Sequence, residues 1–328
     1  MGTYKEIRGT HIVSVTSDPP SPVNGQMWYN STDRAIKGSK SNPAGVWASS
    51  TAMNTGRNLL GASGTSTAAL AFGGQTAPGG VTAVTENWNG TSWTEVNDLN
   101  TARGQHAGFG TSTAALATGG VTPPSNTLRN ETESWNGSSW TEVNNLNTAR
   151  RYLTGAGTVP NGLVFAGYTT AISALTDSWN GSSWTEVNDL NTARHDAASF
   201  GIYTAAIAAG GYTTTEVGIT ESWDGSSWTE VNDLNTARNG LRGAGQSTST
   251  DGLVFGGAGS PYKTVTETWD GSSWTEKSDL NTGVRYLAGS GNASSALAIG
   301  GDSVPGEATT AVEEWTAPAT STVTFTVS

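Results

Sequence analysis

Ser134-Trp135-Asn136-Gly137-Ser138-Ser139-Trp140-Thr141-Glu142 is followed, after three further residues, by Leu146-Asn147-Thr148-Ala149-Arg150. Close copies of this pattern recur every 44 to 47 residues, and the first Trp of each copy falls at Trp88, Trp135, Trp179, Trp223, Trp269 and Trp315. A period in the forties, built from short β-type segments, is typical of propellers in which each repeat is one blade. Six copies therefore predict six blades.

The composition restricts the classes of function. Charged residues make up 13% of the 328 residues, against about 25% in a typical globular protein. The net charge is −11 with only five Lys, which argues against binding to a phosphate backbone, since nucleic-acid binding uses clustered Lys and Arg. No Cys is present, so neither a disulfide framework nor a thiolate ligand is expected. We also expect no secretory signal, lipid anchor or membrane insertion, because no apolar stretch of that kind is visible.

Residues 99–145 serve as the type repeat and contain four candidate strands. The small, apolar Ala114–Thr118 fits a strand near the crowded axis of a ring, whereas Thr132–Trp135 and Trp140–Val143 alternate as outer strands do. Asn136-Gly137 predicts a type I′ turn between the outer strands. The same turn carries Asn-x-Ser/Thr at Asn89, Asn136 and Asn180, but Asp224 and Asp270 replace the Asn in later copies, which favours turn chemistry over glycosylation.

Two further features occur once per blade and are interpreted as structural. The two Trp of each repeat are expected to pack between blades, with sugar stacking as the alternative. One Arg and one acid per blade predict Arg–carboxylate pairs, with an anion-binding ring of six Arg as the alternative. The Arg residues are Arg57, Arg103, Arg150, Arg194, Arg238 and Arg285. The acids are Glu86, Glu133, Asp177, Glu221, Glu267 and Glu313.

The order Leu-Asn-Thr-Ala-Arg, apolar strand, Gly-Gly, Glu-x-Trp-(Asn/Asp)-Gly-x-x-Trp resembles the kelch repeat over residues 47–315. The resemblance implies an all-β fold: a six-bladed kelch-like β-propeller with four antiparallel strands per blade. We assign residues 46–328 to the propeller and residues 1–45 to a small N-terminal β-hairpin segment. Trp47 has the spacing of an outer-strand Trp, so a strand near Trp47 is predicted to close the last blade, although the alternating tail 320–328 could take that place instead.

No catalytic or cofactor-binding constellation is recognised. His11, His106 and His195 occupy unrelated repeat positions without metal-ligand spacing, so no metal or cofactor is expected, and His106 and His195 are interpreted as ordinary loop residues. Ser222–Trp228 resembles the sialidase Asp box but is one residue short, and that box is itself structural. A glycosidase needs paired carboxylates, and the non-repeat acids Asp196, Glu216 and Asp302 show no evident pairing. We therefore predict a protein that is not an enzyme.

The stretch before the propeller carries a second resemblance. Gly25-Gln26-Met27-Trp28-Tyr29-Asn30-Ser31-Thr32, followed by a short strand, Gly45 and Trp47, resembles a segment of bacteriophage tail and fibre proteins. This implies a virion structural protein of tail, fibre or capsid decoration, made in the host cytoplasm and present in multiple copies. Trp28 and Tyr29 are the predicted docking residues. Other virion proteins are the expected partners, with a host-surface glycan or protein as a further one; the alternatives are a soluble glycan-binding lectin and a sialidase-like glycoside hydrolase.

Ligand contacts are expected in the connections that follow each Gly-Gly, because these differ between repeats while the turns do not. Within them Tyr168, Tyr212, Tyr262 and Arg129 are the predicted contact residues. The six connections are Gln75–Val81, Val121–Asn130, Tyr168–Ala174, Tyr212–Gly218, Ala258–Lys263 and Asp302–Thr309.

Overall fold

A computed structural model of the chain describes residues 12–20, 25–42, 44–77, 79–122 and 127–325. Its regular secondary structure over these ranges is β-strand, as predicted. Across the same ranges there is no helix that is long and apolar enough to cross a membrane. The contacts divide the chain into two units, one of residues up to Val46 together with those from Ala317 onward, and the other of Trp47–Thr316.

The larger unit contains six four-stranded antiparallel sheets, which confirms the predicted propeller. In each sheet the strands run in sequence order from the axis outward, except for the last strand of the sixth sheet. Blade 1 has strands Gly61–Thr65, Ala68–Phe72, Thr85–Trp88 and Trp93–Val96. Blade 2 has Ala107–Gly110, Ala115–Thr118, Thr132–Trp135 and Trp140–Val143. Blade 3 has Thr154–Thr158, Asn161–Phe165, Thr176–Trp179 and Trp184–Val187.

The remaining blades follow the same plan. Blade 4 has strands Ala198–Ile202, Ala205–Ala209, Thr220–Trp223 and Trp228–Val231. Blade 5 has Arg242–Gly243, Gly252–Phe255, Thr266–Trp269 and Trp274–Glu276. Blade 6 has Ala288–Gly291, Ser295–Ile299, Val312–Thr316 and, outermost, Val46–Ser50. Short two-stranded ribbons extend three connections: Gln75–Thr76 with Gly80–Val81, Val121–Thr122 with Thr127–Leu128, and Asp302–Val304 with Glu307–Ala308.

The first strand of each blade contacts the first strands of its two neighbours, and the first strand of blade 6 contacts that of blade 1. These strands therefore form the wall of a closed ring. The Ala-rich strand Ala115–Thr118, expected near the axis, is second from it, and the Gly-rich strand Ala107–Gly110 is innermost. Crowding explains the difference, because a Cβ at Gly108 would lie 2.6 Å from the Phe72 ring of the neighbouring blade.

The repeated Trp residues pack between blades, as predicted. The indole Nε1 of Trp140 donates to Thr85 Oγ1 of the preceding blade at 3.1 Å. Trp47 makes the equivalent bond to Thr266 Oγ1 at 2.9 Å and lies 5.5 Å from Trp315, between ring centroids. The strand Val46–Ser50 thus supplies the outer Trp of blade 6.

The hairpins between the outer strands differ from the predicted type I′ turn. Trp135 pairs with Trp140 across a four-residue loop in which only Gly137 has a positive φ, of 95°. The Asn136 side chain organises the loop, since its Oδ1 accepts the backbone N–H groups of Ser138 and Ser139, both at 2.9 Å. Asp224 performs the same role in blade 4, and hydrogen bonding by Ser227 and Ser226 lowers its pKa to about 2. An Asn or Asp is required here as an acceptor.

Five of the six predicted Arg–acid pairs are formed, and the sixth prediction was wrong. The five are buried ion pairs: Arg57–Glu86, Arg103–Glu133, Arg150–Asp177, Arg194–Glu221 and Arg238–Glu267. Arg285 lies one position later in its repeat, and its Nε is 3.5 Å from Asp302 Oδ2 rather than near Glu313. Val284 occupies the repeat position of the other Arg residues. The notion of a six-Arg anion ring is likewise not supported, because the five paired guanidinium groups are buried inside the blades.

The smaller unit is a four-stranded sheet in the order Val13–Val15, Met27–Asn30, Ala35–Asn42, Ala319–Phe325. Met27–Asn30 and Ala35–Asn42 form its hairpin. The tail strand, which was predicted to belong to the propeller, pairs with Ala35–Asn42 and belongs to this unit. Residues 1–11, 21–24, 43 and 326–328 of the predicted segment and tail lie outside the described residues.

Asp18 is the polar centre of the smaller unit. Its carboxylate accepts Trp28 Nε1 at 2.9 Å, Asn30 Nδ2 at 2.7 Å and Lys37 Nζ at 2.8 Å. The hydrogen bond from Lys37 is the main reason that the pKa of Asp18 is lowered to about 2. Trp28 is consequently fully buried, so of the two residues predicted for docking only Tyr29, on the opposite face, is exposed.

Candidate functional site

Six residues form a closed hydrogen-bonded ring around the propeller axis, here called the axial ring. Each residue comes just before the innermost strand of its blade, and its N–H donates to the carbonyl of the equivalent residue one blade earlier at 2.7–3.1 Å. The ring therefore lies at the end of the channel where the innermost strands begin. Its members are Leu59, Gln105, Tyr152, Asp196, Gly240 and Tyr286.

All members of the axial ring have a positive φ, between 51° and 62°. Only Gly240 is a residue that adopts this region freely; a bulky side chain such as Tyr152 or Leu59 is rare there. Non-glycine residues held in such a conformation each cost on the order of 1–3 kcal/mol and cluster at functional sites. The ring thus places five side chains of four residue types at one end of the propeller axis, here called the axial face.

The central channel itself is narrow. It is lined by residues of all six innermost strands and encloses about 50 Å³. Beyond the axial ring, Gln246 of blade 5 reaches across to blade 2, where its Nε2 donates to Gly110 O at 2.7 Å. The channel thus lacks the volume of a small-molecule pocket, which is roughly 300–1,000 Å³.

His106 lies within the wall of this channel and is kept neutral. Burial is the main reason that its pKa falls to about 3, and the nearby Arg103, Arg242 and Arg57 lower it further. Its ring centroid is 5.7 Å from that of Phe72. His106 thus packs in the channel wall, although the sequence predicted an ordinary loop residue.

The axial face carries a group of side chains here called the aromatic cluster, which consists of Arg151, Tyr152, Tyr168, His195 and Tyr212. His195 lies at its centre: its ring centroid is 5.4 Å from Tyr152, 6.1 Å from Tyr168 and 5.3 Å from Tyr212. The Arg151 guanidinium lies 5.0 Å from the Tyr152 ring and 5.2 Å from the Tyr168 ring. All five side chains are half-buried, so they leave aromatic and cationic surface open to a ligand.

Local backbone pairing brings these side chains together. The residue after the Gly-Gly pair, which is Ala166-Gly167 in blade 3, pairs through its backbone with the residue that precedes the axial ring in the same blade, as in Tyr168 with Arg151 and Tyr212 with His195. Because blades 3 and 4 are neighbours, the two pairs lie side by side. Tyr152 then stacks on His195 across the junction between the blades, with ring planes 27° apart.

Asp196 is a buried acid that contacts the central imidazole of the cluster. Its carboxylate is 1% exposed, and Oδ2 lies 3.0 Å from His195 Nδ1. It also raises the pKa of Tyr152, although burial is the larger cause. Asp196 Oδ1 has no hydrogen-bond partner among the described residues. The imidazole is thereby fixed in orientation with its other edge directed away from the carboxylate.

A second group lies at the junction of blades 5 and 6. The Arg285 guanidinium is 4.6 Å from the Tyr262 ring and 4.7 Å from the Tyr286 ring, and it also faces Asp302. Asp302 accepts a short hydrogen bond from Asn58, and burial raises its pKa. Burial likewise raises the pKa of Tyr286, with a contribution from Asp196 of the axial ring. The Asp302 carboxylate is therefore already occupied by its contacts with Arg285 and Asn58.

Three of the four predicted contact residues belong to one of the two groups on the axial face, and the fourth does not. Tyr168 and Tyr212 both contact His195, and Tyr262 contacts Arg285. Arg129 contacts neither group; it bonds Thr122 Oγ1 at 2.6 Å and pairs with Glu131 at 3.3 Å.

Sequence reasoning did not find the residues around these tyrosines. Tyr152, Arg151, Asp196 and Tyr286 were unassigned, and His195 was interpreted as an ordinary loop residue. One signal was available: the two positions after the consensus Arg vary between repeats, reading Asn-Leu, Gly-Gln, Arg-Tyr, His-Asp and Asn-Gly in blades 1 to 5.

The described residues contain no group of three or more His, Asp or Glu side chains that could hold a metal ion. His106 and His195 serve in packing and stacking, and His11 lies outside the described residues.

Comparison with solved structures shows a propeller-type relative. YjhT superposes with a TM-score of 0.68 at 13% sequence identity, and the match covers 83% of this chain and 99% of that chain. At this identity the similarity concerns the fold alone. No family model matches the chain. No curated protein matches it either.

Proposed function

We propose that the protein is a non-catalytic attachment protein that binds a carbohydrate on the axial face and joins a larger particle through its smaller unit. The observation that supports ligand binding is the aromatic cluster, in which three Tyr rings surround His195 and a guanidinium group lies against two of those rings. Aromatic faces stack on the apolar faces of pyranose rings, and Arg donates paired hydrogen bonds to hydroxyl or carboxylate oxygens. The cluster offers both kinds of contact on one surface.

The carboxylates near the axial face support binding over hydrolysis. Glycoside hydrolysis uses two carboxyl groups that flank the scissile bond. Asp196 is buried against His195, and Asp302 is held by Arg285 and Asn58. Asp196 and Asp302 are therefore each held by a structural partner.

The smaller unit supports attachment to a particle, and the sequence resemblance to phage tail and fibre proteins indicates a bacteriophage virion. Tyr29 and Ile36 are cross-strand neighbours, and Ile36 is paired in turn with Phe325. Their exposed fractions are 36%, 38% and 52%, and Met27 on the same face is 38% exposed. A contiguous row of exposed apolar side chains is typical of a protein-interaction surface.

A glycan array probed with the full-length protein tests ligand recognition. We expect binding to a defined set of glycans, loss of that binding in Tyr168→Ala/Tyr212→Ala, and retention in Tyr29→Ala, a matched change on the other unit. Binding that survives the double substitution would contradict the assignment of the axial face. The same preparations are incubated with chromogenic glycosides, where turnover by the wild type would contradict a non-catalytic role.

Immunogold electron microscopy of phage particles tests the particle role. Serum against the propeller is expected to label one fixed place on each virion. Particles assembled with Tyr29→Ala/Phe325→Ser are expected to carry less label, while Tyr168→Ala/Tyr212→Ala particles are labelled as strongly as the wild type. Unlabelled wild-type particles would instead favour the soluble lectin.

A further inference from the structure

Five blades contain a buried guanidinium group at one repeated place. In blade 1, Arg57 Nη1 donates to Gly73 O at 3.1 Å and Val84 O at 2.5 Å, while Nη2 lies 2.9 Å from Glu86 Oε1 and 3.5 Å from Ala71 O. Arg57 and Glu86 are both 0% exposed. The place is thus a set of carbonyl acceptors around a planar guanidinium group, completed by one carboxylate.

Blade 6 retains the backbone at this place but lacks the guanidinium. Val284 occupies the Arg position of the repeat, where its N–H donates to Lys263 O at 3.2 Å and its carbonyl accepts Gly257 N–H at 2.8 Å. Arg57 makes the equivalent two backbone bonds in blade 1. The chain path is therefore conserved between the blades, and only the side chain differs.

Blade 6 also retains the carboxylate. Glu313 Oε2 accepts the Asn281 backbone N–H at 2.8 Å and Asn281 Nδ2 at 2.7 Å, and Oε1 accepts Thr282 N–H at 3.2 Å. Glu86 is held by the same three donors in blade 1. Among the described residues no Arg, Lys or His forms an ion pair with Glu313, which is partly exposed.

A cavity of about 240 Å³ lies where the guanidinium would be. Val284, Ala298, Gly300, Ala311 and Glu313 are among its lining residues. Ala298 pairs with Glu313 in the sheet as Ala71 pairs with Glu86, so the lining residues correspond to those that hold Arg57. The volume is sufficient for a small organic cation or several waters.

We propose that this cavity binds a guanidinium group supplied from outside the chain. A planar guanidinium matches the carbonyls and the carboxylate in the way the five internal Arg groups do, whereas a compact ammonium would leave acceptors unpaired. The source is either a small guanidino compound or the Arg side chain of a protein. This site is separate from the axial face and independent of the function proposed for it.

Isothermal titration of the full-length protein with methylguanidinium at constant ionic strength tests the proposal. Urea, a neutral planar analogue, and methylammonium serve as control probes. We expect saturable binding of methylguanidinium and of neither control probe. This binding should be at least tenfold weaker in Glu313→Gln. It should be absent in Val284→Arg, because the introduced side chain fills the cavity. Glu314→Gln, a change of the next residue on the same strand, is the matched control and is expected to bind like the wild type.

A second titration distinguishes the two sources. If the peptide acetyl-Gly-Arg-Gly-amide binds at least tenfold more tightly than methylguanidinium, and does so only with Glu313 intact, the natural ligand is an Arg side chain. Equal or weaker peptide binding assigns a small guanidino compound. The proposal would be overturned if methylguanidinium showed no saturable binding, or if its binding were unchanged in Glu313→Gln. Neither result depends on whether Val284→Arg folds.

Discussion

His195 stacks on Tyr152 across the junction of blades 3 and 4, with ring centroids 5.4 Å apart and ring planes inclined by 27°. Tyr152 belongs to the hydrogen-bonded axial ring, and His195 is paired through its backbone with Tyr212. The stacked pair therefore connects the rigid centre of the propeller to the variable connections around it. A ligand on the axial face would meet side chains that are already ordered, which reduces the entropy lost on binding.

Removing single rings from the aromatic cluster should weaken ligand binding in graded steps. Tyr168→Ala or Tyr212→Ala alone is expected to reduce glycan affinity about two- to tenfold, because one aromatic contact contributes on the order of 0.5–1.5 kcal/mol. His195→Ala should cost more, since three rings pack against the imidazole. Calorimetric titration gives the affinities, and circular dichroism checks that each variant is folded. Unchanged affinity in all three variants would contradict the prediction.

Removal of one partner of a buried ion pair should destabilise its blade strongly. Glu221→Gln strands the fully buried Arg194, and breaking a buried pair in this way costs about 3–5 kcal/mol. Glu313→Gln makes the same chemical change in blade 6, where no internal guanidinium is stranded, and should cost much less. Denaturant unfolding of both variants measures the two free energies. Similar losses in the two variants would show that the pairing does not determine stability.

His106 should make the fold less stable in acid. Its pKa is about 3 in the folded protein and about 6.5 in an unfolded chain, so the unfolded state binds the extra proton between these values. The stability due to keeping His106 neutral is complete above pH 6.5 and falls by up to about 1.4 kcal/mol per pH unit below it. We expect the stability difference between the wild type and His106→Gln to change across pH 6.5–3 and to be constant above it. A difference independent of pH would refute this.

The outer hairpins should tolerate Asn and Asp equally. Asp224→Asn is expected to leave the thermal midpoint unchanged, because Asn136 and Asn180 accept the same backbone N–H groups in their own blades. Asp224→Ala removes the acceptor of two N–H groups and should lower the midpoint. Differential scanning calorimetry compares the three proteins at pH 7. A midpoint that falls equally in both variants would indicate that the negative charge matters.

The fold could be predicted from the sequence because its determinants repeat. The Trp pairs and the turn acceptor each recur with one spacing, and the Arg–acid pairs recur in the same order at separations of 27 to 30 residues, so five copies support each interpretation. The sixth Arg was misassigned because Arg285 stands one residue from the consensus position, and a count of one Arg per blade conceals such a shift. Alignment of Leu280-Asn281-Thr282 with the other repeats places Val284, and not Arg285, at the consensus Arg position.

The site was predicted only in part. Tyr168 and Tyr212 were found because they begin variable connections, Tyr212 after Gly-Gly and Tyr168 after Ala166-Gly167. His195 and Tyr152 were missed because the axial ring depends on positive φ angles at Tyr152 and Asp196, which the sequence does not predict for such residues. Contacts between neighbouring blades also arise from closure of the ring, which brings together residues more than 40 positions apart.

Hydrogen–deuterium exchange of the full-length protein with its best array glycan tests the role of the axial face most directly. The account predicts slower exchange on binding in peptides covering residues 150–170 and 194–214, with no change in the outer hairpins. Protection confined to the outer hairpins or to the smaller unit, with these two segments unaffected, would contradict it.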